Sequence, residues 1–284
     1  MRDVKMGVLA VLGCGVLAGQ AFAIELAPHR ALYELSPARV DQAGKVIPLD
    51  GRLAYEITGS ACDGYTVNYR IANRFQDPGS GSKLVDTQLN VFEAADGTQF
   101  DVEQHQLAGT DGAPAQRLSV KRTQSGGVGQ GKIISPEAQT FTLAADVLFP
   151  SALEIKLLHE AEQGMSRDSS LVFDGSDGKK VLKAITFIGK KRAPGSFAID
   201  VANVELKPLA GLASWSMSTS YFPTDAVNGD ANTDTADYQA SFNMYENGVS
   251  SELLFDYGSY ALKGKLTKLE LLKPAPCDAT KIKK

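Results

Sequence analysis

The sequence has few of the residues on which metal and nucleophilic chemistry depend. Its 284 residues include three histidines and three cysteines. His29, His105 and His159 lack metal-ligand spacing, and no second histidine follows the His159-Glu160 pair as it would in a zinc-protease helix. No Gly-x-Ser-x-Gly motif is present either. We therefore expect no cofactor and no metal site, and none of these catalytic motifs supports an enzymatic activity.

Basic residues are also too scattered to form a nucleic-acid surface. The chain has 29 lysines and arginines against 33 acidic residues, which gives a net charge of −4. Nucleic-acid binding favours basic clusters interleaved with aromatic residues, and the sequence has none. We interpret Lys281, Lys283 and Lys284 as a solvated tail. The sequence predicts no nucleic-acid partner.

Long apolar runs are absent apart from one, from Met6 to Leu17. It follows a short basic start, and Ala21-Phe22-Ala23 supplies the small residues that precede a cleavage site. This pattern predicts a secretory signal peptide, residues 1–23, cleaved after Ala23, and a single mature domain of residues 24–284. A transmembrane anchor is one alternative, but the run is short against the ~20 residues of a spanning helix. Lipidation at Cys14 is another, because the residues before it loosely resemble a lipoprotein box.

Two cysteines, Cys62 and Cys277, remain after removal of the signal peptide. In an oxidising compartment they can pair only with each other within one chain. Such a bridge would hold the last strand against the second or third, and in the chain-entropy model it contributes roughly 5 kcal/mol. The alternative is a cytosolic protein in which both are thiols and Cys62 is a nucleophile, which requires the signal peptide to be false.

Short alternating segments separated by turn residues make up most of the mature chain. From Tyr65 to Phe75 the apolar residues occupy odd positions, and a period of two places them on one face of a half-buried strand. Asn247-Gly248 is a strong hairpin signal. We expect about a dozen strands, mostly joined as sequential hairpins. This predicts an all-β, mostly antiparallel sheet curled into a barrel-like spiral.

Two of these strands carry large aromatic side chains on one face. Tyr65 and Tyr69 lie on one face of the first, while Trp215 and Tyr221 alternate with serines in the second. Aromatic faces of this kind are more often plain core than ligand sites. We nevertheless predict these four residues as a candidate binding face.

One segment departs from the strand pattern. Ser151 and Glu154 match a capping box, and Leu153, Leu157, Leu158 and Ala161 follow helical spacing. The spacing predicts a single helix over roughly 152–163, with its apolar stripe against the sheet.

The loop Asp225–Asp234 has oxygen ligands at alternating positions, as a calcium loop does. It lacks the glycine and the terminal glutamate of the known calcium-binding loop. A solvated acidic loop is therefore the favoured interpretation, with calcium binding as the alternative.

Four stretches together resemble the EipB family of periplasmic cell-envelope-integrity proteins: His29–Tyr33, Gly59–Tyr65, Leu148–Pro150 and Val172–Asp177. The resemblance spans essentially the whole mature chain. It implies a β-spiral fold, a periplasmic location, a disulfide between Cys62 and Cys277, and a non-catalytic role in keeping the envelope intact. It supplies no ligand and no catalytic residues.

Two classes of function remain open at this point. The first is a binding protein whose curved sheet holds a lipid, a lipoprotein or a protein partner. The second is an envelope hydrolase acting on glycan or peptide, which would need a site that the sequence does not reveal. An apolar pocket favours the first class, and paired carboxylates favour the second.

Overall fold

The structure is a computed structural model that describes residues 24–41, 47–77, 81–108, 111–196, 204–224 and 235–277. The predicted signal peptide, the Asp225–Asp234 loop and the lysine-rich tail lie outside the described residues. Within them are one α-helix, α1 (Pro150–Glu162), a short 3-10 helix (Val204–Leu209) and sixteen strands. The strands are β1 (His29–Val40), β2 (Ile47–Ser60), β3 (Gly64–Asp77), β4 (Gly81–Glu93), β5 (Gln99–Ala108), β6 (Asp111–Gly112), β7 (Gln116–Arg122), β8 (Gly129–Ser135), β9 (Gln139–Leu143), β10 (Val147–Leu148), β11 (Arg167–Val172), β12 (Leu182–Ile188), β13 (Ser214–Pro223), β14 (Tyr238–Tyr245), β15 (Ser250–Asp256) and β16 (Tyr260–Leu271).

The strands form one sheet in which almost every neighbour in sequence is a neighbour in space. The path runs from β10 through β11 to β16, continues to β1, and ends at β9, with β6 paired to β5 beside it. Its two outermost strands, β9 and β10, are joined by residues 144–146 alone. The two edges of the sheet therefore lie close together, and the sheet forms a nearly closed barrel. This confirms the predicted fold class, although the number of strands exceeds the dozen expected.

The alternation of side chains decides which face of the sheet is the inside. In β2 and β3, Leu53, Ile57 and Tyr65 are buried, whereas Ala54 and Arg70, which lie opposite each other on the other face, are exposed. The inward residues of the strands form the core, in three clusters that together include α1 and the 3-10 helix. The predicted face of the Tyr65–Phe75 strand therefore points into the barrel.

The helix packs on this inward face through the residues that the spacing predicted. Leu153, Leu157, Leu158 and Ala161 are all buried, in one cluster with residues of β2, β3 and β12 to β14. The predicted capping box is wrong, because the residue at the start of the helix is Phe149 and no side chain near it in sequence caps the helix. Instead, the carboxylate of Glu93 accepts hydrogen bonds from the backbone N–H groups of Ser151 and Ala152, at 2.8 and 3.0 Å.

A disulfide joins Cys62, in the turn between β2 and β3, to Cys277 beyond β16, with their Cα atoms 5.5 Å apart. The expectation that the bridge holds the last strand against the second or third is wrong in detail. The last strand, β16, pairs with β1 on one side and β15 on the other. The bridge fastens the segment after β16, whose Ala275 N–H also donates to the carbonyl of Gly59 at 3.3 Å.

Candidate functional site

The structure places all four predicted binding-face residues on the inward face of the barrel, but in two different environments. Tyr65 is 3% exposed and Trp215 is 1% exposed, so both are packed in the core around α1. Tyr69 and Tyr221 are only half-buried. Both side chains point inward, and both residues retain some accessible surface.

Further aromatic side chains continue this region into a row that crosses the barrel. The rings of Tyr221 and Tyr238 stack with centroids 4.5 Å apart, and Tyr257 lies 6.1 Å from Tyr238. Tyr260 lies 5.1 Å from Tyr257, and Phe75 lies 5.8 Å from Tyr260. We call these five residues the aromatic row. Since Phe75 is on β3 and Tyr260 on β16, with β1 and β2 between these strands in the sheet, the row bridges the inside of the barrel.

Glu154 of α1 is an acidic side chain near this interior. Burial raises the pKa of Tyr33, Tyr55 and Tyr221, and the charge of Glu154 raises the pKa of each phenol further. Burial, assisted by the nearby charge of Glu93, raises the pKa of Glu154 from 4.5 to about 7. Its carboxyl accepts no hydrogen bond from the part of the chain that the structure describes. Glu154 as a whole residue is half-buried.

The tyrosine hydroxyls around this space remain protonated at neutral pH. Burial raises the pKa of Tyr257 to about 12 and raises the pKa of Tyr55 and Tyr238 well above the usual value. The inward region thus combines aromatic rings, phenolic donors and the carboxyl of Glu154, and the charge of Glu93, whose carboxylate binds the start of α1, lies near enough to act on Glu154. We call the region lined by Glu154, Tyr55, Tyr69, Tyr221 and Tyr238 the inner chamber.

A cluster on the other side of α1 has the residue types of a serine hydrolase. Lys156 contacts Asp168 and donates to the hydroxyl of Ser170 at 2.8 Å. That hydroxyl in turn donates to Asp168 at 2.8 Å, and Ser170 is 8% exposed. The serine hydroxyl therefore donates its hydrogen bond to a carboxylate that is already paired with the lysine cation. This arrangement links the helix to β11 and does not present a nucleophile.

Two kinds of feature are absent from residues 24–41, 47–77, 81–108, 111–196, 204–224 and 235–277. No group of three or more histidine, cysteine, aspartate or glutamate residues there is arranged to hold a metal ion. In that same part of the chain, no helix is both long and apolar enough to cross a membrane.

The signals for the inner chamber were only partly visible in the sequence. Tyr69 and Tyr221 follow from the alternation of their strands. Glu154 was missed because its pattern matches a cap, and Tyr257 because it follows β15 in a turn. The contacts between them come from the curvature of the sheet, which no local pattern shows.

Comparisons with known proteins agree with this fold. A family model described as EipB-like matches residues 20–273. The chain is 30% identical over 258 residues to the cell envelope integrity protein EipB of Brucella abortus (strain 2308), a match that covers 89% of this chain and 87% of that protein. A crystal structure of a β-barrel-like protein of a domain of unknown function, also from Brucella abortus, aligns with a TM-score of 0.78 at 28% identity, over 88% of this chain and 100% of that one.

Proposed function

The chain belongs to the EipB-like family, and we propose that it is a non-enzymatic periplasmic protein that maintains the cell envelope by binding a lipid-type ligand in its inner chamber. The relative's name as a cell envelope integrity protein supports the envelope role. The observation that carries the binding role is the half-buried state of Tyr69 and Tyr221, which point into the barrel and still retain accessible surface.

The chemistry of the chamber favours an amphipathic ligand. Ligand pockets in proteins are mostly apolar, with a few placed polar groups that orient the ligand. Here aromatic rings provide the apolar walls, and the Glu154 carboxyl with its neighbouring phenols provides the polar position. An acyl chain fits this combination, whether it belongs to a free lipid or to a lipoprotein.

The direct test is mass spectrometry of the protein purified from the periplasm under native conditions. We expect an acyl-bearing molecule to be released by organic solvent. A free lipid appears in the solvent extract, whereas a lipoprotein appears as a second polypeptide. Repeated purification without any such molecule contradicts the proposal.

Single substitutions in the inner chamber test whether the ligand binds there. Tyr221→Ala and Tyr238→Ala remove stacked rings from the chamber and should lower the yield of ligand per protein. Phe187→Ala is the matched control, because Phe187 is 58% exposed on the other face of the sheet. If the control lowers the yield as much as the chamber variants, the ligand does not occupy the chamber.

A further inference from the structure

The outer face of the sheet carries a continuous row of polar side chains that the binding role does not use. The strand register places seven residues directly opposite one another across seven neighbouring strands, from β16 to β7. They are Glu270, Arg30, Glu56, Asn68, Asn90, Glu103 and Arg117. We call this set the polar row. Because neighbouring strands lie ~4.8 Å apart, the row repeats a hydrogen-bonding group at that spacing over roughly 29 Å.

Five residues of the polar row form one wall of a groove of about 780 Å³: Glu270, Arg30, Glu56, Asn68 and Asn90. On each of the strands β16, β1, β2, β3 and β4, three consecutive residues line the groove, and the middle one points into the barrel. The floor is therefore backbone, and the opposite wall contains Leu32, Ala54 and Gln88. A second groove of about 350 Å³ continues over β5 and β7, and Asn68 and Asn90 line both.

Charges in the groove are balanced, which argues against an ionic ligand. The larger groove is lined by three cationic and three anionic side chains: Arg30, Arg70, Lys268, Glu56, Glu205 and Glu270. Arg30 donates hydrogen bonds to both Glu56 and Glu270. Asn68 donates a hydrogen bond to Glu56 at 3.1 Å. A surface without a single dominant sign of charge does not attract polyanions such as nucleic acid or acidic head groups.

Two side-chain amides in the groove have donors and acceptors that are not used within the described part of the protein. Gln88 and Asn90 are exposed, and neither side chain has a hydrogen-bond partner among the described residues. The backbone offers no such capacity, because β1 to β4 are paired on both sides. An extended peptide therefore cannot add to the sheet here as a further strand.

We infer that this outer groove is a binding site for an uncharged, β-linked glycan chain, which would lie across the strands. Such a chain presents hydroxyl and amide groups at a repeat comparable with the strand spacing of ~4.8 Å. Gln88 and Asn90 bond these groups, and the ion-paired residues of the polar row supply further donors and acceptors. The site lies on the opposite face of the sheet from the inner chamber and is independent of it.

Isothermal titration calorimetry with N-acetylglucosamine oligomers, from the disaccharide to the hexasaccharide, tests the inference on the purified protein. We expect affinity to rise with length, because each added sugar reaches another strand. Gln88→Ala/Asn90→Ala should weaken hexasaccharide binding by about tenfold, the effect of two lost hydrogen bonds. The matched control is Gln130→Ala, an exposed amide on β8 outside both grooves.

Several outcomes overturn the inference. These are no binding of any oligomer, affinity that does not increase beyond the disaccharide, and equal weakening by Gln130→Ala. Binding of an extended peptide that depends on Gln88 and Asn90, without glycan binding, also overturns it. Lipid release from the inner chamber is measured separately, so failure of either proposal leaves the other intact.

Discussion

The carboxylate of Glu93, at the end of β4, accepts a hydrogen bond at 2.8 Å from the backbone N–H of Ser151, 58 residues later in the chain. A second bond, from Ala152 at 3.0 Å, completes the cap of the helix that occupies the barrel interior. The first N–H groups of a helix have no hydrogen-bond partner within the helix. A carboxylate at this end also interacts favourably with the positive end of the helix dipole. This contact fixes where α1 begins relative to the sheet.

The first prediction concerns this cap. Glu93→Ala leaves one buried and one partly buried N–H group without partners and should lower the free energy of unfolding by about 2–4 kcal/mol. Glu93→Gln keeps one acceptor and should cost less. Chemical denaturation followed by circular dichroism measures both. The control is Glu246→Ala, an exposed residue after β14, and a loss for that variant as large as for Glu93→Ala would contradict the role of the cap.

The second prediction follows from the raised pKa of Glu154. In the unfolded chain this carboxyl ionises near 4.5, and in the folded protein near 7. The folded state therefore binds more protons between these pH values, so stability falls as pH rises through the window. Above it the cost reaches about 3 kcal/mol. Glu154→Gln should be more stable than the original protein at pH 8 and lose this advantage at pH 5, as urea denaturation at both pH values would show.

Two other groups with shifted pKa values, His29 and Glu93, are common to both proteins. Burial lowers the pKa of His29, so its contribution to stability is lost as pH falls below its ordinary value of 6.5. Burial also raises the pKa of Glu93. The informative quantity is therefore the difference between Glu154→Gln and the original protein at each pH. A difference that does not change between pH 5 and pH 8 would mean that Glu154 ionises normally.

Local signals were sufficient for most of the fold. The alternation from Tyr65 to Phe75 predicted which face of β3 points inward, and Asn247-Gly248 predicted the turn between β14 and β15. The helical spacing predicted α1 within two residues at each end. Each of these features depends on residues that are only a few positions apart, and for this reason the local sequence pattern predicts it.

Contacts between residues that are far apart in the sequence could not be predicted from local patterns. Nothing near α1 in sequence indicates that Glu93 caps it, and a closer glutamate, Glu154, matched the capping pattern instead. The pairing of β1 with β16 depends on the curvature of the whole sheet. The inner chamber shares this cause, because its residues come from strands that meet only when the barrel closes.

The third prediction concerns Gly64, which begins β3 with φ of +112°. A Cβ atom at this position would lie 2.2 Å from the carbonyl oxygen of Glu93. Gly64→Ala therefore combines an unfavourable backbone conformation with a clash against β4, and it should cost about 3 kcal/mol or more. The control is Gly81→Ala, where φ is +86° and nothing lies within 4 Å of the added atom.

Gly81→Ala should cost only about 1–2 kcal/mol, the effect of the left-handed backbone conformation alone. Thermal denaturation of both variants separates conformational strain from the clash. Equal losses at the two positions would show that the contact with Glu93 contributes nothing.

The last prediction concerns the bridge between Cys62 and Cys277. Because β16 is already paired on both sides, the bridge does not close an edge of the sheet; it holds residues 272–277 against the turn between β2 and β3. Its effect is therefore on the unfolded chain and on this terminal segment. Cys277→Ser should lower Tm while leaving the circular dichroism spectrum unchanged, and the loss in the free energy of unfolding has an upper bound of roughly 5 kcal/mol.

Cys62→Ser and the double variant Cys62→Ser/Cys277→Ser should lower Tm by the same amount, since one bridge is lost in each. Reduction of the purified protein should reproduce that loss, with ligand binding retained below the new Tm. If reduction leaves Tm unchanged while ligand binding disappears, the disulfide is a functional switch and its structural role is refuted.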